Sequence, residues 1–71
     1  MDLRSAVEGK EYTIQAIDSD DDELKSFLLS LGCYSGAPIT VVTRRRKNYT
    51  VSIKDGRYNI DDQLAEAIRI G

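Results

Sequence analysis

A lone thiol, an acidic cluster, a basic run and four tyrosines are the side chains of this sequence that could do chemistry. Cys33 could ligate a soft metal or react with oxidants. A metal site normally needs three or four ligands, and there is no second cysteine and no histidine to supply them. The simpler expectation is a thiol packed in a loop or core. Asp18, Asp20, Asp21, Asp22 and Glu23 offer oxygen ligands for a hard cation, and Asp18, Asp20 and Asp22 have the alternate spacing that opens a calcium loop. That loop then fails, because Glu23 stands where its glycine belongs and Leu29 where its glutamate belongs. Capping a helix accounts for the same acids without an ion.

The run Arg44-Arg45-Arg46-Lys47 could meet phosphates or an acidic protein surface. A solvated hairpin tip, whose charges discourage strand-to-strand pairing, explains it equally well. Only Tyr49 accompanies the run, which makes a poor platform for stacking nucleic-acid bases. Of the tyrosines, Tyr12, Tyr49 and Tyr58 fall on the apolar side of strand alternations and are expected in the core, with Tyr34 exposed. There is no tryptophan to build a proline-peptide groove. With no histidine as a neutral-pH base, no activated thiol and no phosphate-cradling glycine loop, an enzyme is not expected.

The elements that position these groups can be read from periodicity. Leu24, Phe27, Leu28 and Leu31 fall on one helical face, with Ser19 or Asp20 as the cap and Gly32 as the stop, giving a helix over about residues 20–31. Leu3, Ala6 and Val7 suggest an apolar turn ahead of Gly9. Tyr12, Ile14 and Ala16 alternate with polar residues as a half-buried strand, and Ile17, off that alternation, predicts a bend or bulge. Ile39 to Arg44 and Tyr49 to Lys54 read as strands joined by a hairpin over Arg45 to Asn48. Asp55-Gly56 reads as a tight turn into a short strand from Arg57 to Ile60. Asp61 can cap one helical turn through Leu64, and the tail to Ile70 fits either a helix or a closing strand. About five strands and one inserted helix predict a mainly β fold, a small barrel that removes its exposed sheet edges.

Seventy-one residues, 41% hydrophobic and 31% charged, suit one domain with one core, expected to span residues 1–71. The net charge of −2 argues against bulk attraction to nucleic acid. The start, Met1-Asp2-Leu3-Arg4, lacks the apolar stretch of a signal peptide, and no apolar run is long enough to enter a membrane. With a single cysteine, a reducing cytoplasm is the expected location.

The segment Leu28-x-x-Leu31-Gly32-x-x-x-Gly36, followed by Ile39-x-Val41, resembles the FeoA family, ferrous iron transport protein A. The order of the remaining elements agrees, from Leu3 to Gly9 through Ile14 and Ile17 to Tyr58-Asn59-Ile60, Leu64-Ala65 and Ile68-Arg69-Ile70. Cys33 departs from the branched aliphatic often found after that glycine. The resemblance implies an SH3-like barrel carrying an inserted helix, with a strand for the tail. It further implies a cytosolic accessory of the FeoB-type membrane transporter, acting by protein-protein contact with its cytosolic GTP-binding region. No cofactor, resident metal, nucleic-acid partner or membrane insertion is expected. The surface expected to bind the partner is Leu31, Gly32, Cys33, Tyr34 and Gly36, with Arg44, Arg45, Arg46 and Lys47 as a second patch. The same barrel forms the C-terminal domain of iron-dependent repressors, so the alternative is a metal-responsive regulatory domain that binds a transition metal ion.

Overall fold

β1 (Glu11–Ile17) is the corner of the molecule, because it serves two partners. Its first half pairs with β2 (Pro38–Arg45) and its second half with β5 (Ile68–Ile70), both antiparallel. β3 (Asn48–Ile53) and β4 (Gly56–Asp61) continue the sheet beyond β2, giving the order β4-β3-β2-β1-β5. The computed structural model describes all residues, 1–71.

The bend foreseen at Ile17 is a bulge: the register against β5 shifts between Ile14 and Ala16. One extra residue resets the in-out alternation, so Ile14 is buried and Ile17 packs on the core, while Ala16, expected inside, is exposed. A second bulge, between Val41 and Thr43, bends β2 against β3.

Two-residue turns join the hairpins. Arg46-Lys47 links the paired residues Arg45 and Asn48, so the connection expected over Arg45 to Asn48 is shorter by one residue at each end. The next turn is Lys54-Asp55, with Ile53 paired to Gly56, one residue earlier than the expected Asp55-Gly56. Arg46 and Lys54 take the left-handed conformation there (φ 52° and 53°). Gly56 instead opens β4, where a side chain would meet the ring of Tyr58.

α1 (Asp22–Ser30) is capped by Asp21, not by Ser19 or Asp20; its carboxylate accepts from Glu23 and Leu24 backbone N–H at 3.0 and 3.2 Å. Ser19 Oγ in turn accepts from Asp21 N at 3.0 Å. Only Leu28 of α1 is fully buried; Leu24 and Leu31 are half-buried, and Phe27, expected inside, is 48% exposed. A short helix on a small curved sheet touches it along one narrow stripe, and Phe27 lies at that stripe's margin.

A second helix, α2 (Asp62–Ala67), is longer than the single turn expected after Asp61, whose carboxylate caps it by accepting from Leu64 N at 2.9 Å. The chain then switches directly into β5, so both readings of the tail hold in succession. A 3-10 turn at Leu3–Ser5 buries Leu3 and Ala6 but leaves Val7 61% exposed. Asp2 caps it and accepts from Arg4 N, Nε and Nη2 at 2.9 to 3.0 Å. The Arg4 guanidinium holds the Asp2 carboxyl below the usual carboxylate range.

The core is wholly apolar, built from Ile14, Leu28, Ile39, Val41, Val51, Ile53, Ile60, Ile68 and Ile70 with smaller neighbours. Tyr12 and Tyr49 join it, as expected, and keep their hydroxyls satisfied. Tyr12 Oη accepts from Val7 N at 3.0 Å, and Tyr49 Oη donates to Asp62 at 2.9 Å. β4 and β5 are not hydrogen-bonded to each other, so the barrel closes by packing and not by a continuous ladder. The expected removal of sheet edges is thus incomplete: Met1 and Asp2 cover β5 through Ile70 N to Met1 O at 2.9 Å and a bridge from Asp2 to Arg69. β4 keeps a bare edge.

Candidate partner-binding surface

The turn after α1 is built by backbone hydrogen bonds alone. Leu31 ends the helix in right-handed conformation and Gly32 follows with φ +101°. Gly32 N donates to Leu29 O and Cys33 N to Leu28 O, both at 3.0 Å, which is the Schellman arrangement. Its usual hydrophobic clasp is present too, since Cys33 and Leu28 both lie in the core. The chain then lies against β1: Gly36 N donates to Ile14 O at 2.7 Å, and Ile14 N to Ala37 O at 2.8 Å.

This geometry divides the five residues expected at the surface. Cys33 is 1% exposed and so presents nothing to a partner. Burial pushes its thiol up to about 11, so it is protonated at neutral pH. A thiol reagent at neutral pH should therefore modify the native chain far more slowly than the chain in denaturant, as an absorbance time course would show. Leu31 and Gly32 are half-buried, and Tyr34 and Gly36 are exposed.

Two residues that the sequence reading did not choose complete this surface. Phe27 lies one helical turn before Leu31 on the same face, half-exposed. Lys54, from the β3–β4 turn, places its ammonium 4.7 Å from the centroid of the Tyr34 ring. Phe27, Leu31 and Tyr34 are thus exposed or half-buried along the helix end and its turn, with Lys54 against Tyr34. Nothing local in the sequence links Tyr34 with Lys54, so that contact had no signal to find.

The second expected patch lies elsewhere. Arg46 and Lys47 precede β3 and Lys54 follows it, so the strand's length, about 17–20 Å, separates the two surfaces. Arg44 is also engaged differently from the rest of the run. Its backbone N donates to Glu8 at 2.6 Å, and its guanidinium bonds the Ala6 carbonyl and lies 5.6 Å from the Tyr49 ring centroid. It ties the N-terminal segment to the sheet, although Arg44 is exposed like Arg45, Arg46 and Lys47.

Arg45 also lines a shallow depression of about 250 Å³ on the outer face of the sheet, with Thr43, Asn48, Thr50 and Asn59. Thr50 Oγ1 donates to Asn59 Oδ1 there at 2.7 Å. The acidic residues at the start of α1 act as cap and first turn, and no three thiol or carboxylate groups of the chain converge to hold a metal ion.

Comparison with known proteins agrees with this architecture. The chain has the fold of a FeoA from Stenotrophomonas maltophilia, solved in complex with zinc and described as an SH3 domain protein, at a TM-score of 0.89. The two are 14% identical, over 100% of this chain and 89% of that one. A manganese-dependent transcriptional repressor gives the same TM-score at 21% identity, over 99% of this chain but only 40% of the longer repressor. At these identities the likeness shows the fold, an SH3-like barrel with an inserted helix. Sequence relatives go further. A Helicobacter pylori protein named "Putative Fe(2+) transport protein A" is 35% identical over 67 residues, 94% of this chain and 86% of its own. The FeoA domain model matches residues 1–70, through the Schellman turn and the barrel that carries it, and the chain belongs to the FeoA family.

Proposed function

We propose that the protein is an accessory of ferrous iron uptake that works in the cytoplasm as a binding module, by contact with the cytosolic GTP-binding region of a FeoB-type transporter. Family membership and the Fe(2+) transport relative support the process. The observation that carries the mode of action is the exposure of Phe27 and Tyr34 on either side of a turn fixed by backbone hydrogen bonds. Exposed aromatic side chains such as Tyr34 and Phe27 are the kind that protein interfaces enrich. No helix of the chain is long and apolar enough to cross a membrane.

Retention of the transporter's cytosolic region on the immobilised chain tests this reading. Tyr34→Ala should weaken retention by on the order of tenfold, as loss of an aromatic anchor does. No retention by the native chain, in conditions where a positive control binds, would overturn it. The barrel shared with a manganese-dependent repressor favours one rival, a metal-responsive regulatory domain. Heat or chemical-shift change on adding manganous or ferrous ion to the isolated chain would favour that rival instead.

A further inference from the structure

We infer that the bare edge of β4 pairs with β4 of a second copy of this chain, in one defined antiparallel register centred on Asn59. The turn Lys54-Asp55 contains only two residues, so its flanking pair, Ile53 and Gly56, is hydrogen-bonded. Alternation then makes Val51–Tyr58 and Tyr49–Ile60 the other bonded pairs of β3 and β4. The backbone groups of Arg57, Asn59 and Asp61 consequently point away from β3, toward the unpaired edge. β4 neighbours only β3 in the sheet, and the turn, loop and cap hydrogen bonds engage none of the three residues' N–H groups. Asp61 remains extended (φ −90°, ψ 179°), so the edge runs straight to the start of α2.

Charge decides what such an edge can accept. Proteins usually blunt a bare edge with lysines, prolines, bulges or a covering segment. Here the outward residues are Arg57, Asn59 and Asp61, all exposed, with opposite charges at the two ends. Set antiparallel about a twofold axis through Asn59, Arg57 of each copy faces Asp61 of the other, on the same face of the joined sheet. Asn59 meets Asn59. The two-fold operation makes every contact twice, as an isologous interface requires. Slipping the register by two residues loses both ion pairs, and a parallel arrangement sets Arg57 against Arg57.

In this register Asn59 N–H donates to Asn59 O of the second copy and Asp61 N–H to Arg57 O, each reciprocally. Six-residue strands bury much less than the roughly 1,200–2,000 Å² of a stable interface, so the pair should be populated only at high protein concentration. Phe27, Leu31 and Tyr34 are not part of it.

Cysteine cross-linking reads the register directly, with the native chain as control because its own thiol is buried. Residues directly opposite in an antiparallel pair lie within disulfide reach, whereas residues four places apart along the strand do not. At about millimolar protein under mild oxidation, Asn59→Cys should form covalent dimer on the order of tenfold faster than Arg57→Cys or Ser35→Cys. The diffusion coefficient of the native chain should also fall as its concentration rises, and Arg57→Asp should remove that dependence by setting two acids face to face. Equal cross-linking at the three positions, or a diffusion coefficient of the native chain that is independent of concentration, would overturn the pairing.

Discussion

Leu28→Ala should remove most of the stability of the chain. Leu28 is the only fully buried side chain of α1, and its carbonyl accepts from both Leu31 N and Cys33 N at the helix end. Truncating a buried leucine costs about 2–5 kcal/mol, because the transfer free energy is lost and a cavity remains. A barrel of this size, with no disulfide, holds about 3–5 kcal/mol in all. Phe27→Ala, on the same face but 48% exposed, should cost under about 1 kcal/mol. Urea titration followed by circular dichroism compares the two. Equal midpoints would mean that α1 is not anchored through Leu28.

Gly32→Ala should cost about 1–2 kcal/mol, a large fraction of the same total. Two effects add at that position. The residue holds φ +101°, where an L side chain is strained, and an added Cβ would sit 3.2 Å from Cγ2 of Ile53. Gly9 separates them, since it holds φ +82° with nothing within 4 Å of an added Cβ. Gly9→Ala should therefore show the strain alone, and the difference between the two variants measures the crowding against β3. Thermal melts of the three chains give this directly. A Gly32→Ala variant no less stable than Gly9→Ala would show that Ile53 yields at no cost.

These two positions also mark where the sequence was informative. The spacing Leu24, Leu28, Leu31 and the stop at Gly32 follow from helix periodicity and left-handed closure, which are local. The bulge near Ile17 was legible for the same reason, as a break in a local alternation. The cap was not, because Ser19, Asp20 and Asp21 all have side chains able to accept from a helix start, and only the path from β1 selects Asp21. Phe27 has the right period for the core, but the curvature of the sheet beneath α1 decides how wide a stripe is covered. The tail resisted a single reading because it is two elements, with α2 ending where β5 begins.

The proposed contact surface was legible only in part. Leu31 to Gly36 could be chosen from the turn signal, but the burial of Cys33 depends on the Schellman clasp with Leu28. The separation of Arg45, Arg46 and Lys47 from that turn depends on which end of β3 each occupies, a matter of topology and not of composition. Lys54 entered for the same reason, brought to Tyr34 by the strand that precedes it.

A titration of the isotope-labelled chain with the transporter's cytosolic region, followed by backbone amide chemical shifts, tests the proposed contact most directly. Saturable shifts at Phe27, Leu31 to Gly36 and Lys54, with Arg45 to Lys47 unmoved or moved less, are the expected result. No shift at saturating partner, or shifts confined to the far end of β3, would contradict it.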